Sequence, residues 1–470
     1  MTNPFSSSQN GLPLYPVSSA NYEKWLANLP GLQQKWLKAA GFSARAGELC
    51  SLPDSNGELQ GYAFGMADKG WLYQLAPLVA KLTAGSYRLV SDWTPGQRLQ
   101  ASLGWGLACY QFDLYRKPTR ENPSLDLDED IAVEAGRLLS AQSLVRDLVN
   151  TPTEDLGPAQ LADAMQIEAD QFGARTTVIH GVDLLTKNFP AIHAVGRAAD
   201  REPRLLQMEW GEEDHPLLAL CGKGVCFDTG GLNLKPGTGM ALMKKDMGGA
   251  AHVLALARLI MQANLPVRLL VLIPAVENSV SGNAYRPGDV IPTRKGLSVE
   301  IGNTDAEGRV VLADALTYAC EYKPDLVIDF ATLTGAARIA LGTDLPPVFS
   351  NDLSIANEII AAGEIEEDPM WVMPLYQPYK ELLNSKIADL NNMSKTPYGG
   401  CITAALFLEH FVTAETDWVH IDTWAWNQDN RPGRPIGGEA IGLRSTFNYL
   451  KKRYAEEVVV SSTATEPVLQ

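Results

Sequence analysis

In the first part of the chain, apolar and polar residues alternate with the periodicity of short strands in some segments and of longer helices in others. Residues 97–112 carry apolar side chains at helical spacing, whereas Tyr87–Val90 has the short pattern of a strand. No chemical motif accompanies these elements. We therefore predict a smaller accessory α/β domain over residues 1–130.

A longer helical pattern follows this region. The segment DIAVEAGRLLSAQSLVRDLV has apolar residues at helical spacing, and Pro152 and Pro158 come directly after it. Because proline cannot continue a helix, we predict a connecting helix over 131–150 that ends before NTPTEDLGP. A larger domain is predicted for 151–459 and a flexible tail for 460–470.

Within the larger domain, strand-like and helical segments alternate. The segments are LLALCG at 217–222, a helix near 249–263, VRLLVLIPAV at 267–276, a helix near 308–321, and LVIDFATLTG at 326–335. Such alternation predicts an α/β fold with a mainly parallel sheet flanked by helices. In that architecture, ligands bind at the carboxyl ends of the strands.

Composition narrows the classes of function. The chain has 470 residues, enough for two cores, and its net charge of -16 with a pI near 4.9 disfavours nucleic acid or an anionic membrane as main partner. The six cysteines form no CxxC pair, which indicates reduced thiols. The apolar run at 267–276 is shorter than the ~20 residues of a membrane helix. Without a signal-like start, we expect a cytoplasmic protein.

Two stretches, 222–251 and 303–316, place many polar groups where buried strands end. Their charged residues are Lys223, Asp228, Lys235, Asp246, Asp305, Glu307 and Arg309. The last three stand at alternate positions, so in an extended segment they would point the same way. We expect them to converge on one site.

Four carboxylates in a small volume repel one another and hold protons unless cations compensate. Two divalent ions would balance Asp228, Asp246, Asp305 and Glu307. Two-metal hydrolytic sites use such carboxylates to generate hydroxide and to polarise a carbonyl group. Zinc, manganese and magnesium all suit this ligand set, and the sequence does not select among them.

Simpler interpretations stay open at this point. Asp246 and Asp305 each precede a predicted helix, where an aspartate commonly caps the first turn. Other motifs are absent: the two stretches contain neither GxxxxGK[ST] nor GxGxxG, and the chain contains neither HExxH nor GxSxG. Nucleotide, thermolysin-like and serine-hydrolase chemistry therefore lack their usual support.

The segment NTDAEGRVVLADAL resembles the signature of the leucyl aminopeptidase family, peptidase family M17. GKGVCFDTGGLNLK, MKKDMGGAA and VNTPTEDLGP are similar to other segments of that family, and the resemblance extends over residues 150–449. It implies a metal-dependent aminopeptidase that requires a free amino terminus on its peptide substrate. It also implies a homohexamer.

The resemblance further implies roles for individual residues. Asp228 and Glu307 would contact both metals, Lys235 would stabilise the oxyanion, and Arg309 would hold a bicarbonate ion that relays a proton. The full set of implied metal ligands is Lys223, Asp228, Asp246, Asp305 and Glu307. The implied substrate-binding residues are Lys235, Met243, Thr332, Leu333, Gly335 and Trp424.

One segment departs from the family pattern. HIDTWAWN carries Trp424 and Trp426 where leucine-preferring relatives have small residues that leave a side-chain pocket open. We predict that Trp424 narrows this pocket or gives it an aromatic wall; the alternative is that both tryptophans pack in the core. Two other functions are considered: a DNA-binding protein that kept the fold, and a dipeptidase for small thiol peptides such as Cys-Gly.

Overall fold

A computed structural model describes residues 3–8, 10–118 and 120–462 of the chain, with side chains described as far as Tyr454. The residues form two compact units. The first contains the described residues through Ser143 together with Gln428–Ile436, and the second contains Leu144–Asn427 and the described residues from Gly437 onward. The boundary falls inside one long helix, Glu129–Asn150.

The first unit is built on a sheet in which only the last two strands in spatial order pair antiparallel. In that order, its strands are Phe5–Ser6, Ser124–Asp126, Ser86–Leu89, Leu12–Val17, Leu59–Gly65 and Leu49–Pro53. Its α-helices, besides the start of the long helix, are Tyr22–Ala27, Gly31–Ala39, Ala76–Val79 and Pro95–Cys109, with a 3-10 turn at Ser19–Asn21.

The second unit is built on a larger sheet. In spatial order its strands are Trp371–Val372, Pro347–Ser350, Asp417–Asp422, Leu326–Ala331, Leu217–Gly222, Arg268–Asn278, Arg204–Trp210 and Arg175–His180, and Gly224–Asp228 also pairs with Arg268–Asn278. The five strands nearest its centre run parallel. Every residue of the two middle strands, Leu217–Gly222 and Leu326–Ala331, is buried, as expected for strands covered on both faces.

Helices pack around this sheet. The α-helices of the second unit are Pro158–Phe172, Asp183–Thr186, Pro190–Gly196, Gly237–Met240, Gly248–Gln262, Glu307–Glu321, Gly335–Leu341, Leu353–Glu366, Gly400–Glu409 and Leu443–Ser462. The 3-10 helices are Met243–Met247 and Gln377–Leu383, and the smaller sheets contain Val290–Pro292, Ser298–Glu300, Leu390–Asn391, Trp426–Asn427 and Gly437–Gly438. A large apolar core joins the sheet to the helix Glu307–Glu321.

The structure confirms the α/β fold class, with a mainly parallel sheet flanked by helices in the larger unit. The helix expected at 97–112 is Pro95–Cys109, which begins earlier because Thr94 and Gln97 form a capping box. It ends earlier because Tyr110 adopts an extended conformation.

At the carboxyl end of the chain, the last helix continues through Ser462 and so includes the first residues of the segment predicted as a tail. Residues 463–470 lie outside the described residues. Among the described helices, none is long and apolar enough to cross a membrane.

Candidate active site

Five parallel strands bring their carboxyl ends to one edge of the larger sheet. The residues at or directly after these ends are Lys223, Asp228, Asn278, Thr332 and Asp422. Parallel pairing with adjacent registers places them side by side, because the carboxyl ends of parallel strands share one edge. The polar residues that end buried strands therefore form one site.

Lys223 lies between two strands, and its side chain is buried among carboxylates. Its Nζ is 2.7 Å from Asp246 Oδ2 and 2.8 Å from Glu307 Oε1, and it donates a hydrogen bond of 3.1 Å to the carbonyl oxygen of Thr332. Gly308 makes room for this amine, since a Cβ there would stand 2.7 Å from Nζ. Burial lowers the pKa of Lys223, but the neighbouring carboxylates outweigh burial and raise it.

Lys235 forms a second, similar arrangement. Its Nζ is 2.8 Å from Asp228 Oδ2 and 2.5 Å from Asp305 Oδ1. The turn that carries it past Asp228 contains Gly230, with a φ of +88° that glycine adopts without strain. Burial again opposes the charge, and the carboxylates again raise the pKa of the lysine.

Asp228 is held at the end of its strand by two hydrogen bonds to Oδ1. The backbone N–H of Gly230 and the side-chain amide of Asn278 each donate to it over 2.8 Å. Asp246 lies on the 3-10 helix Met243–Met247 and accepts a hydrogen bond of 2.8 Å from the Thr332 hydroxyl. These bonds fix two of the four carboxylates before any ligand binds.

Carboxylate crowding raises the pKa of two acids at this site. Burial and the charge of Asp228 raise the pKa of Asp305 to about 6 and that of Glu307 to about 8. By contrast, Asp246 keeps a low pKa, because Lys223 and Lys245 outweigh its burial. The nearby lysines therefore do not compensate all four carboxylates, since Asp305 and Glu307 keep raised pKa values.

The same residues fit divalent cations. Asp228, Asp305 and Glu307 each offer an oxygen, and these oxygens lie within 4.8 Å of one another. Asp246 Oδ2, Asp305 Oδ1 and Glu307 Oε1 are buried, and each has a lysine amine at 2.5 to 2.8 Å as its nearby donor. Buried oxygens with spare acceptor capacity and excess negative charge suit hard or borderline metal ions.

A cavity opens over this cluster. It is lined by ten residues that the sequence singled out, namely Lys223, Asp228, Lys235, Met243, Asp246, Asp305, Thr332, Leu333, Gly335 and Trp424. Glu307 is buried and reaches the cluster through Lys223. Arg309 is not among the residues that line the cavity. It donates a hydrogen bond of 2.9 Å to the carbonyl oxygen of Asn392, and its Nε is buried without a hydrogen-bond partner.

Two of our interpretations from the sequence are wrong in detail. Asp305, Glu307 and Arg309 do not share an extended segment, because Glu307 begins the helix Glu307–Glu321 and Asp305 lies in the turn before it. The helix-cap alternatives also fail. The residues at the N-cap positions are Ala306 and Met247, and neither helix start has a side-chain cap.

The two tryptophans have different positions. Both side chains are buried, with exposed fractions of 9% and 8%, but Trp424 lines the cavity and Trp426 is not among the lining residues. Trp424 is therefore the tryptophan that lies at the cavity, and its effect on the choice of substrate stays a prediction. The Cζ of Arg338 lies 3.6 Å from the centroid of the Trp424 ring, and Lys245 Nζ lies 3.9 Å from it.

Three charged residues that line the cavity were missed in the sequence: Lys245, Arg338 and Asp422. Asp422 accepts hydrogen bonds from the backbone of Leu333 and Thr334, at 2.8 and 3.2 Å, and from the Thr334 hydroxyl at 2.7 Å. It positions the segment that follows the strand Leu326–Ala331. A signal for Asp422 was present in the sequence, since this residue ends the strand Asp417–Asp422 and stands two residues before Trp424. Arg338 gave no signal, because a lone arginine on a short helix is most often a surface residue.

A carboxylate and lysine cluster at the carboxyl ends of a parallel sheet, with a cavity above it, defines the class of a metal-dependent hydrolase. Comparison with known proteins makes this assignment specific. Residues 143–446 match the model of the cytosol aminopeptidase family, catalytic domain, and residues 12–128 match the M17 aminopeptidase, N-terminal domain. The chain belongs to the cytosol aminopeptidase family, whose members are metallo-exopeptidases, and it is an aminopeptidase.

Individual relatives agree with this assignment. The probable cytosol aminopeptidase of Syntrophotalea carbinolica is 41% identical over 365 residues, which is 74% of this chain and 73% of the relative. The crystal structure of a cytosol aminopeptidase from Coxiella burnetii has a TM-score of 0.93 and 48% identity, covering 96% of this chain and 99% of that one. The bottromycin maturation enzyme BotP in complex with Mn has a TM-score of 0.85 and 30% identity, covering 96% and 100% of the two chains.

Proposed function

We propose that this aminopeptidase holds two divalent metal ions, zinc, manganese or magnesium, through five residues at the cavity floor. The residues are Lys223, Asp228, Asp246, Asp305 and Glu307. One observation carries the proposal: four carboxylates meet at the cavity floor, and three of their buried oxygens have a lysine amine within 2.8 Å and no other hydrogen-bond donor among the described residues. When bound, such ions supply Lewis acidity and lower the pKa of water, so that hydroxide is available at neutral pH.

Lys235 stabilises the negative charge that develops on the scissile carbonyl oxygen. Its amine is held by Asp228 and Asp305 at the edge of the cavity, and its raised pKa keeps it charged at neutral pH. A fixed cation in a site sheltered from water stabilises an oxyanion without reorganisation during the reaction. Met243, Thr332, Leu333, Gly335 and Trp424 line the same cavity and form the substrate cleft.

Arg309 would hold a bicarbonate ion, which would supply a proton relay for hydrolysis. The support is its chemistry: the buried Nε has no hydrogen-bond partner, and a guanidinium group binds a planar carboxylate-like anion through two parallel hydrogen bonds. Burial lowers the pKa of Arg309 to about 10, which leaves the group charged near neutral pH.

The substrates are peptides with a free amino terminus. We also propose a homohexameric assembly and a cytoplasmic location, with no nucleic acid or membrane as partner. The net charge of -16 supports the exclusion of polyanions, and six free cysteines are typical of a reducing compartment. Mass measurement in solution tests the assembly, and a molecular mass other than six chains contradicts it.

The central claim is tested with one peptide in two forms, with a free and with an acetylated amino terminus. We expect release of the first residue only from the free peptide, loss of this activity after treatment with a chelator, and its return with manganese or zinc. Equal cleavage of the acetylated peptide, or full activity in the chelator, would contradict the proposal. Absence of cleavage with every metal, together with a DNA mobility shift, would favour the DNA-binding alternative.

A further inference from the structure

One wall of the cavity carries two cationic side chains against a tryptophan ring. The guanidinium carbon of Arg338 and the amine of Lys245 lie 3.6 and 3.9 Å from the centroid of the Trp424 ring. Both distances are within the range of a cation–π contact. All three residues line the cavity that also contains the proposed metal ligands.

Arg338 lacks the partner that a half-buried guanidinium normally has. Its Nε is buried and donates no hydrogen bond, and within the described part of the chain no carboxylate forms an ion pair with it. The carboxylates whose charges act on Arg338 are those of Asp422 and Asp246. Asp422 is already engaged by Leu333 and Thr334, and Asp246 by Lys223 and Thr332. The donors of Arg338 therefore remain available to a ligand.

Arg338 is held close to Leu333–Gly335, the segment proposed to line the substrate cleft. It lies on the helix Gly335–Leu341, whose first turn is capped by the Thr334 hydroxyl while Asp422 holds Thr334. A Cβ placed on Gly335 would stand 3.2 Å from Arg338 Nη2. The guanidinium thus sits beside the backbone of Leu333–Gly335, on the same side of the cavity as Trp424.

We propose that the pocket formed by Arg338 and Trp424 selects an amino-terminal aspartate or glutamate, whose side-chain carboxylate accepts hydrogen bonds from the guanidinium group. This inference rests on the proposed aminopeptidase function and adds the substrate class. An aliphatic side chain in this pocket would cover Arg338 without offering an acceptor, which is unfavourable for a buried charge. A carboxylate satisfies the free donors and balances the charge.

The test compares amides of glutamate, glutamine, alanine and leucine with the metal-loaded enzyme. Glutamate and glutamine have the same size, so their ratio of kcat/KM isolates the charge of the side chain. We expect glutamate to be preferred over glutamine by about 10-fold or more. We also expect free glutamate to inhibit cleavage of the alanine substrate at lower concentration than free glutamine does.

Two variants assign this preference to Arg338. Arg338→Met should lower kcat/KM for the glutamate substrate by about 10- to 100-fold more than kcat/KM for the alanine substrate, while Arg338→Lys retains part of the preference. The matched control is Arg175→Met, since Arg175 is exposed on an edge strand and does not line the cavity.

Equal cleavage of the glutamate and glutamine substrates by the unaltered enzyme overturns the proposal, and the aminopeptidase function then stands on cleavage of the alanine substrate. An unchanged glutamate preference in Arg338→Met also overturns it. If no substrate is cleaved with any metal, the proposed function itself fails, and the inference fails with it. The inhibition experiment uses the unaltered enzyme, so it decides the question even if the variant does not fold.

Discussion

Positively charged side chains have different surroundings in two parts of the cavity. The floor contains Lys223 and Lys235 with the four carboxylates around them, and the wall contains Trp424, Lys245 and Arg338. On the floor, Lys223 and Lys235 each face two carboxylates at 2.5 to 2.8 Å. On the wall, Arg338 and Lys245 lie against the Trp424 ring, and Arg338 has no ion pair within the described residues. In our proposal, the floor binds the metal ions and stabilises the oxyanion, whereas the charge of Arg338 on the wall selects among substrates.

This difference has an energetic basis. A buried lysine between carboxylates cannot be removed without leaving those carboxylates buried and uncompensated, which costs more than the pair contributes. A cation against an aromatic ring contributes less, about 0.5 to 2 kcal/mol depending on exposure. Removing a lysine from the floor should therefore destabilise the fold, whereas a substitution on the wall should cost little stability and mainly change substrate preference.

The largest expected effect concerns the stability of the metal-free protein. Lys223→Met leaves Asp246 and Glu307 without their shared amine, so we expect the free energy of unfolding to fall by about 3 kcal/mol. Arg338→Met removes no ion pair, and its effect should stay below about 1 kcal/mol. Urea unfolding of both variants in a chelator measures the difference. Equal losses would show that floor and wall do not differ as described.

The next effect concerns catalysis at the floor. Lys235→Met removes the cation proposed for the oxyanion, and we expect kcat to fall by about 100- to 1,000-fold for every substrate. The ratio of glutamate to glutamine cleavage should not change, because the wall is intact. Steady-state kinetics on the substrate panel measures both quantities, with the exposed Lys386→Met as control. A loss confined to acidic substrates would assign Lys235 to selection instead.

The smallest effect concerns the shape of the wall. Trp424→Ala opens the pocket, and we expect kcat/KM for leucine relative to alanine to rise by about 10-fold or more, because a single methylene group in a hydrophobic pocket is already worth about 10-fold. The buried Trp426→Phe is the companion variant, for which the ranking of substrates should stay as it was. If Trp424→Ala leaves the ranking unchanged, Trp424 does not shape the pocket.

Much of this molecule was accessible from its sequence because local patterns carry strong physical constraints. Fully buried parallel strands need continuous apolar runs, and LLALCG and VRLLVLIPAV provided them. Polar residues directly after such runs must lie at one edge of the sheet, which located Lys223, Asp228 and Thr332. The boundaries of the elements were less accurate, as the capped start of Pro95–Cys109 shows.

The convergence of Asp305 and Glu307 was expected for the wrong local reason. Their spacing suggested an extended segment, but the chain turns at Asp305 and begins a helix at Glu307. The result is the same, because the turn and the helix start both face the strand ends. Sequence spacing alone does not distinguish an extended segment from a turn followed by a helix.

By itself, the sequence determined the fold class and the set of charged residues that meet on the cavity floor, because apolar periodicity and strand ends are local properties. Only the tertiary structure decided which neighbours each charge has. It showed that Trp424, rather than Trp426, lines the cavity, and that Arg338 reaches the Trp424 ring without an acidic partner. Arg338 and Trp424 are far apart in sequence, and their contact depends on packing between elements, which no local pattern encodes.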